Sequence, residues 1–218
     1  MTVTLQRMEV QEEGLRERKK RATREAIARA AMALFGEQGY DSVTVAEVAR
    51  ASGVSEKTVF NYFPAKEDLV FNEGMARRQA LIHAIRTRPP GTSLVEPFRR
   101  QTLELIDRVE LGPDEAIVAI PRLVGGSAVL RERLFLGWER EAALLTPLIA
   151  EETGSAPDDL VPAVVARSLA WTNRLVFRAA FSRLIAGEDQ RALAADLREQ
   201  ARRADDQLER GLGDYGVR

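Results

Sequence analysis

Apolar residues recur every three or four positions along almost the whole chain, the spacing of helices with one buried face. Residues 1–15 break this rule. They are polar, lack a period and carry Glu9, Glu12 and Glu13, so they read as a flexible tail. From Arg16 the pattern is helical, with Ala26, Ile27, Ala30, Ala31, Leu34 and Phe35 on one face, and Gly36 and Gly39 mark its end. Val45, Val48 and Ala49 predict a second helix, and Thr44 with Glu47 three residues on forms a capping box. Gly53 breaks that helix, Ser55 can cap a short third one built on Val59 and Phe63, and Pro64 stops it.

Beyond Pro64 the breakers Pro89-Pro90-Gly91, Gly112-Pro113, Gly125-Gly126, Gly154 with Pro157, and Gly187 predict six more helices. Their spans are 66–87, 93–110, 114–124, 127–153, 158–186 and 189–211. No stretch alternates with period two, so no sheet is predicted. The fold class is all-α. A tail at 1–15 precedes a small three-helix unit at 16–65 and a larger helical bundle at 66–218.

Composition narrows the chemistry. The 218 residues contain no Cys and one His, His83. This excludes disulfides, thiolate metal sites, thiol nucleophiles and two-histidine metal sites. Gly125-Gly126-Ser127 reads as a helix break rather than a phosphate loop. No cofactor and no enzymatic activity are expected. The N-terminus lacks the apolar core of a signal peptide, and stretches such as Ala142 to Ala150 are about half the ~20 residues a membrane helix needs. A cytoplasmic protein without membrane contact is expected.

Charge totals conceal a local pattern. Lys+Arg number 32 and Asp+Glu 33, a net of −1. Yet residues 16–30 hold seven basic side chains against two acidic, a net of +5, and Lys20 lies in this run. Positive charge at a helix N-terminus opposes the helix dipole at about 0.3–1 kcal/mol each. Nearby phosphates would relieve that cost, and the same holds for Lys66 at the start of the fourth span.

Thr44 to Phe63 meets the requirements of a helix-turn-helix. Ala49 is small where two helices approach, Gly53 suits a left-handed turn, and Val54 can pack between the helices. The third helix buries Val59 and Phe63 and turns Lys57, Thr58, Phe60 and Asn61 outward. Asn can pair with adenine, Lys with guanine and Thr with either, while an aromatic edge can touch a thymine methyl.

Three runs carry a resemblance: Phe35 to Val45, then Val48-Ala49-x-x-x-Gly53-Val54-Ser55, then Thr58 through Pro64-Ala65-Lys66-Glu67-Asp68-Leu69. Together they resemble the TetR (tetracycline repressor) family of bacterial transcriptional regulators over about residues 20–70. Farther on, only size and helical layout match. The resemblance implies a DNA-binding unit of helices one to three, with helix three as the recognition helix. It implies phosphate contacts at Thr44, Tyr62 and Lys66, and a recognition surface of Ser55, Glu56, Lys57, Thr58, Phe60 and Asn61. Glu56 is repelled by phosphates, so it either accepts from a cytosine amino group or points away. Phe60 stands where the family often has Tyr.

The resemblance further implies a small-molecule effector and a homodimer built by the last two long helices. Such a dimer reads a two-fold-symmetric double-stranded DNA operator, and helix 66–87 links effector site to DNA unit. The sequence pattern agrees on the dimer. Leu193, Leu197, Ala201, Ala204, Leu208 and Leu212 line one seam of helix 189–211. Helix 158–186 is apolar on most sides, through Leu160, Val161, Val164, Val165, Leu169, Trp171, Leu175, Val176, Phe177 and Phe181, so it needs cover on several faces.

Asn173, Arg174 and Arg178 sit among these apolar neighbours. They either pair across the bundle or line a cavity and orient a polar or acidic ligand group. Phe98, Arg122, Trp138, Trp171 and Phe177 are the other ligand candidates, with plain core as their alternative role. The competing function is a helical small-molecule-binding or interaction protein without DNA binding. Thr44, Tyr62 and Lys66, all in place, argue against it.

Overall fold

The computed structural model describes residues 2–72, 74–112 and 114–217, excluding the side chains of residues 2–13, 75 and 114–117. Among the described residues there are nine α-helices and no strand. They are α1 (Thr2–Gln38), α2 (Val45–Ser52), α3 (Glu56–Tyr62), α4 (Gly74–Arg86), α5 (Val95–Leu111), α6 (Asp114–Gly126), α7 (Ala128–Thr153), α8 (Val161–Ile185) and α9 (Gln190–Leu212). A 3-10 turn, Lys66–Leu69, lies between α3 and α4. The chain divides into two compact units, Met1–Asn72 and Glu73–Arg218. No helix among the described residues is long and apolar enough to cross a membrane.

Two boundaries differ from expectation. Helical backbone begins at Thr2, in place of the expected tail. Residues such as Leu5, Gln6, Arg7 and Met8 are good helix formers, and extending an existing helix avoids the cost of a new nucleus. The expected helix 66–87 is split into the 3-10 turn and α4. Leu69 and Val70 are buried in the first unit, so its border falls after Asn72 rather than at Ala65.

The first unit has an entirely apolar centre. Ile27, Ala31 and Phe35 of α1 close on Val48 and Ala49 of α2, Val59 of α3, and Val43, Phe63 and Leu69, all buried. Local chemistry fixes the turn between α2 and α3. The Thr44 hydroxyl accepts from Glu47 N–H at 3.2 Å while the Glu47 carboxylate accepts from Thr44 N–H at 2.7 Å. Gly53 sits at φ +69 and donates back to α2, a conformation that favours glycine. Ser55 Oγ then caps α3 by accepting from Thr58 N–H at 3.1 Å.

The second unit has two buried clusters. One gathers Leu81 and Ile85 of α4, Phe98 of α5, Leu145 and Ile149 of α7, and Val165 and Leu169 of α8. The other gathers Ile106 and Val109 of α5, Val118 of α6, Val176, Ala180 and Leu184 of α8, and Leu193, Leu197 and Ala201 of α9. The seam of α9 is therefore used inside its own chain, with Leu208 and Leu212 packed against the first cluster. Periodicity shows that a face is buried, not which neighbour buries it. Charged pairs reinforce the α5–α9 contact: Arg198 bridges Asp107 and Glu110, and Arg99 meets Asp205 at 3.6 Å.

Buried Arg88 ties three ends of this unit together. It donates to Ile85 C=O at 2.5 Å, to the Glu152 carboxylate at 2.8 Å and to Gly216 C=O at 2.5 Å. The end of α4, the end of α7 and the C-terminal segment therefore share one guanidinium.

Candidate nucleic-acid interface

α3 presents one exposed face. With Val59 turned into the core, Lys57, Phe60 and Asn61 point outward, and they are neighbours at helical three- and four-residue spacing. Phe60 is 47% exposed, a large apolar side chain in water beside a lysine and an amide. Ser55 and Thr58 share a hydroxyl–hydroxyl bond of 2.8 Å at the start of the same helix. Ser55, Lys57, Thr58, Phe60 and Asn61 thus fall on or beside a single short helix.

The other expected DNA contacts are arranged around it. Thr44 is exposed at the N-terminus of α2, with its hydroxyl in the capping box. Those hydrogen bonds hold the Glu47 carboxyl below the usual carboxylate range. Lys20, Asn61 and Tyr62 line a common recess with Glu17, Arg21 and Arg24. Lys20 is exposed and lies 3.9 Å from Glu17.

Lys66 has an additional role. Its ammonium donates to Tyr40 C=O at 2.6 Å and lies 4.1 Å from the centroid of the Tyr40 ring. Burial draws its pKa down, against the pull of Asp41, Glu67 and Glu47. The Tyr40 hydroxyl is pushed up, by burial first and then by Glu67. Lys66 anchors the link between α1 and α2 as well as standing at the start of the 3-10 turn.

Arg24 holds the end of α3, a position that the sequence pattern does not single out. Its Nη1 donates to Tyr62 C=O at 2.6 Å, and the guanidinium lies 4.2 Å from the centroid of the Phe63 ring. It satisfies a carbonyl at the C-terminus of α3 and places a cation there, as the helix dipole favours. The available signal is its register: Arg24 lies three residues before buried Ile27, on the inward side of the basic run.

The ligand candidates do not form one site. Phe98 belongs to the buried core, Arg122 is exposed on α6, and Phe177 packs edge-on against Phe181. Asn173 donates to Gln101 at 2.8 Å and accepts from Thr102, tying α8 to α5. Only Trp138, Trp171 and Arg174 come together, with the guanidinium 5.2 Å from each indole ring. A separate surface recess around Pro147, Ala150, Gly154, Pro157 and Pro162 contains none of these candidates. His83 is exposed on α4.

Comparison with known proteins bears on the same segment. A family model described as bacterial regulatory proteins, tetR family, matches residues 27–72, which span the end of α1, all of α2 and α3, and the 3-10 turn. HTH-type transcriptional regulator TcmR of Streptomyces glaucescens is 31% identical over 171 residues, 76% of this chain and 76% of that protein. The chain belongs to the tetR family. It is a DNA-binding transcriptional regulator, of a family of regulators rather than enzymes. Solved structures share the fold. SmeT, solved as a complex with triclosan, aligns with a TM-score of 0.58 at 19% identity, covering 89% of this chain and 94% of that one. NalD, the secondary repressor of the MexAB-OprM multidrug efflux pump in Pseudomonas aeruginosa, aligns with a TM-score of 0.54 at 23% identity, covering 84% and 97%.

Proposed function

We propose that this tetR-family chain is a ligand-responsive cytoplasmic repressor. It binds a two-fold-symmetric operator as a homodimer and is released by a small-molecule effector. The observation that carries the reading is the exposed Lys57, Phe60 and Asn61 face on a helix held at both ends. Asn61 reads a base edge, Lys57 and Thr58 add hydrogen bonds, and Phe60 contributes apolar contact. Lys20 and Tyr62 hold phosphates, Thr44 does so once its hydroxyl turns from the Glu47 carboxylate to which it donates, and Lys66 adds charge near Thr44. Ser55 caps the helix and shares its hydroxyl with Thr58, which sets both at the start of the face turned to the DNA.

Dimerisation rests on α8. Val161, Val164, Trp171, Leu175 and Ile185 are exposed, and with Ser168, Arg178 and Ser182 they alternate three and four residues apart along one stripe. Val164 is 60% exposed and Leu175 57%. An apolar stripe of this spacing is the seam of a two-helix contact, and a second copy covers it. The outward face of α9 is a ladder in which Arg202 pairs with Glu199 and Asp206, so α9 borders that seam with polar groups.

Release requires only that the effector prefer one of two states. In this reading the effector binds in the second unit, moves α4 and changes the spacing of the two recognition helices. The test is selection of DNA from a random library by the full chain. Recovery of an inverted repeat supports the reading. Recovery of no preferred sequence would favour an interaction protein without DNA binding.

A further inference from the structure

We propose that the junction of α4, α7 and α8 around Arg174 binds an anionic group, carboxylate or phenolate, carried on a planar aromatic body. This rests on the reading of the second unit as an effector domain, and names the effector's chemical class.

Arg174 lies midway along α8 and is 5% exposed. Its guanidinium sits 5.2 Å from the Trp138 ring of α7 and 5.2 Å from the Trp171 ring of α8. These are the only two tryptophans in the chain. It forms an ion pair with Glu139, at 3.6 Å. The other terminal nitrogen, Nη2, is buried without an acceptor among the described residues, and so is Nε of Arg78 on α4. Buried guanidinium N–H groups without acceptors are costly and rare.

The surrounding charges lean the same way. Arg77, Arg78 and Arg174 all act on Glu141, whose carboxyl burial pushes up in pKa. Burial draws the Arg174 guanidinium down, against the pull of Glu139 and Glu141. Arg78 and Arg174 thus share Glu139 and Glu141, one of them reluctant to ionise. A bound carboxylate supplies the missing negative charge and the acceptor oxygens for Nη2. The tryptophan faces supply flat apolar surface beside it. A neutral amide keeps one acceptor oxygen but lacks the charge and the second oxygen that pair with a guanidinium, so it binds far more weakly.

Glu139 is the stand-in. Its side chain is 43% exposed, so it can turn to solvent when a ligand carboxylate takes its place on Arg174. Trp171 lies on the stripe assigned to the second copy, which leaves the Glu139 side as the way in. Arg78 brings α4 into contact with the ligand's charge. Arg88 fixes the far end of α4, so ligand binding moves the Gly74 end.

The two tryptophans make the test direct. In the 15N-labelled full chain the indole N–H groups give two signals, both at the site. The probes are 2-naphthoate and its neutral analogue 2-naphthamide. The expected result is saturable movement of both signals with naphthoate and none with naphthamide. Arg174→Met should abolish it. Glu139→Gln should tighten naphthoate binding about fivefold, because a like charge is removed from the seat. A merely structural role for Glu139 predicts the opposite sign. Equal binding of the two probes, or indole signals that neither moves, would overturn the proposal in the wild-type chain without any variant. Loss of affinity in Glu139→Gln would overturn it too. A chain that selects DNA and is released by another compound without indole shifts keeps the regulator reading and sinks this one. A chain that selects no DNA sinks the regulator reading, whatever the indole titration shows.

Discussion

Among the described residues, the buried polar and charged side chains are Arg88, Ser93, Thr102, Ser127, Arg174 and Asp205, and all six lie in the second unit. The first unit buries Ile27, Phe35, Val59, Phe63 and Leu69 and keeps its charges at or near the surface. An apolar centre with capped helix ends has one good arrangement, and a recognition helix needs that rigidity. A bundle containing buried ion pairs has higher stakes. Its charges are costly unless matched, so a change in their partners can shift the whole packing.

Breaking either centre should have the largest effect. Phe35→Ala leaves a cavity in the apolar unit and should cost about 3–5 kcal/mol, read as early thermal unfolding with loss of DNA binding. Arg88→Met should cost a similar amount, about 3–5 kcal/mol, by removing the buried guanidinium that joins Ile85, Glu152 and Gly216. Its signature differs, because chemical denaturation should loosen the second unit while the first keeps its DNA affinity in an isolated-site assay. If Arg88→Met were as stable as wild type, buried charge would not be the organising feature of that unit.

The next effects concern recognition. Asn61→Ala should lose about 1–3 kcal/mol of specific binding and little non-specific binding in gel shifts. Arg24→Ala touches no base, yet it frees the end of α3 and should weaken specific binding by about 1 kcal/mol. Unchanged operator discrimination in Arg24→Ala would reduce that residue to a surface charge. Smaller still is an effect of pH. The Glu141 pKa is raised by folding, so its ionisation costs the folded state stability as pH rises from the unfolded carboxylate value. Glu141→Gln removes that loss. The stability of the variant relative to wild type should therefore grow from acid to neutral pH in paired melts.

The same contrast governs which features are legible in the sequence. The α2–α3 turn is readable because its determinants are neighbours: Thr44 with Glu47, Gly53 alone, Ser55 with Thr58. The tie from Arg24 to Tyr62 spans 38 residues and leaves no local pattern. The seam of α9 is visible as a stripe, but its partner is not, because α5 and α8 of the same chain cover it. In α8 the pattern is apolar nearly all round. Only packing divides it into a buried set, Val165, Leu169 and Val176, and an exposed set, Val164, Trp171 and Leu175. Among the ligand candidates, aromatic character alone does not separate core Phe98 from the pair flanking Arg174.

The central claim is that two copies of the exposed α3 face read one symmetric site. Sequencing of DNA selected by the full chain tests it most directly. The account predicts an inverted repeat with half-site centres about 34–36 Å apart, one turn of the double helix, and loss of that preference in Asn61→Ala. Enrichment of a lone half-site, or an unaltered repeat selected by Asn61→Ala, would contradict it.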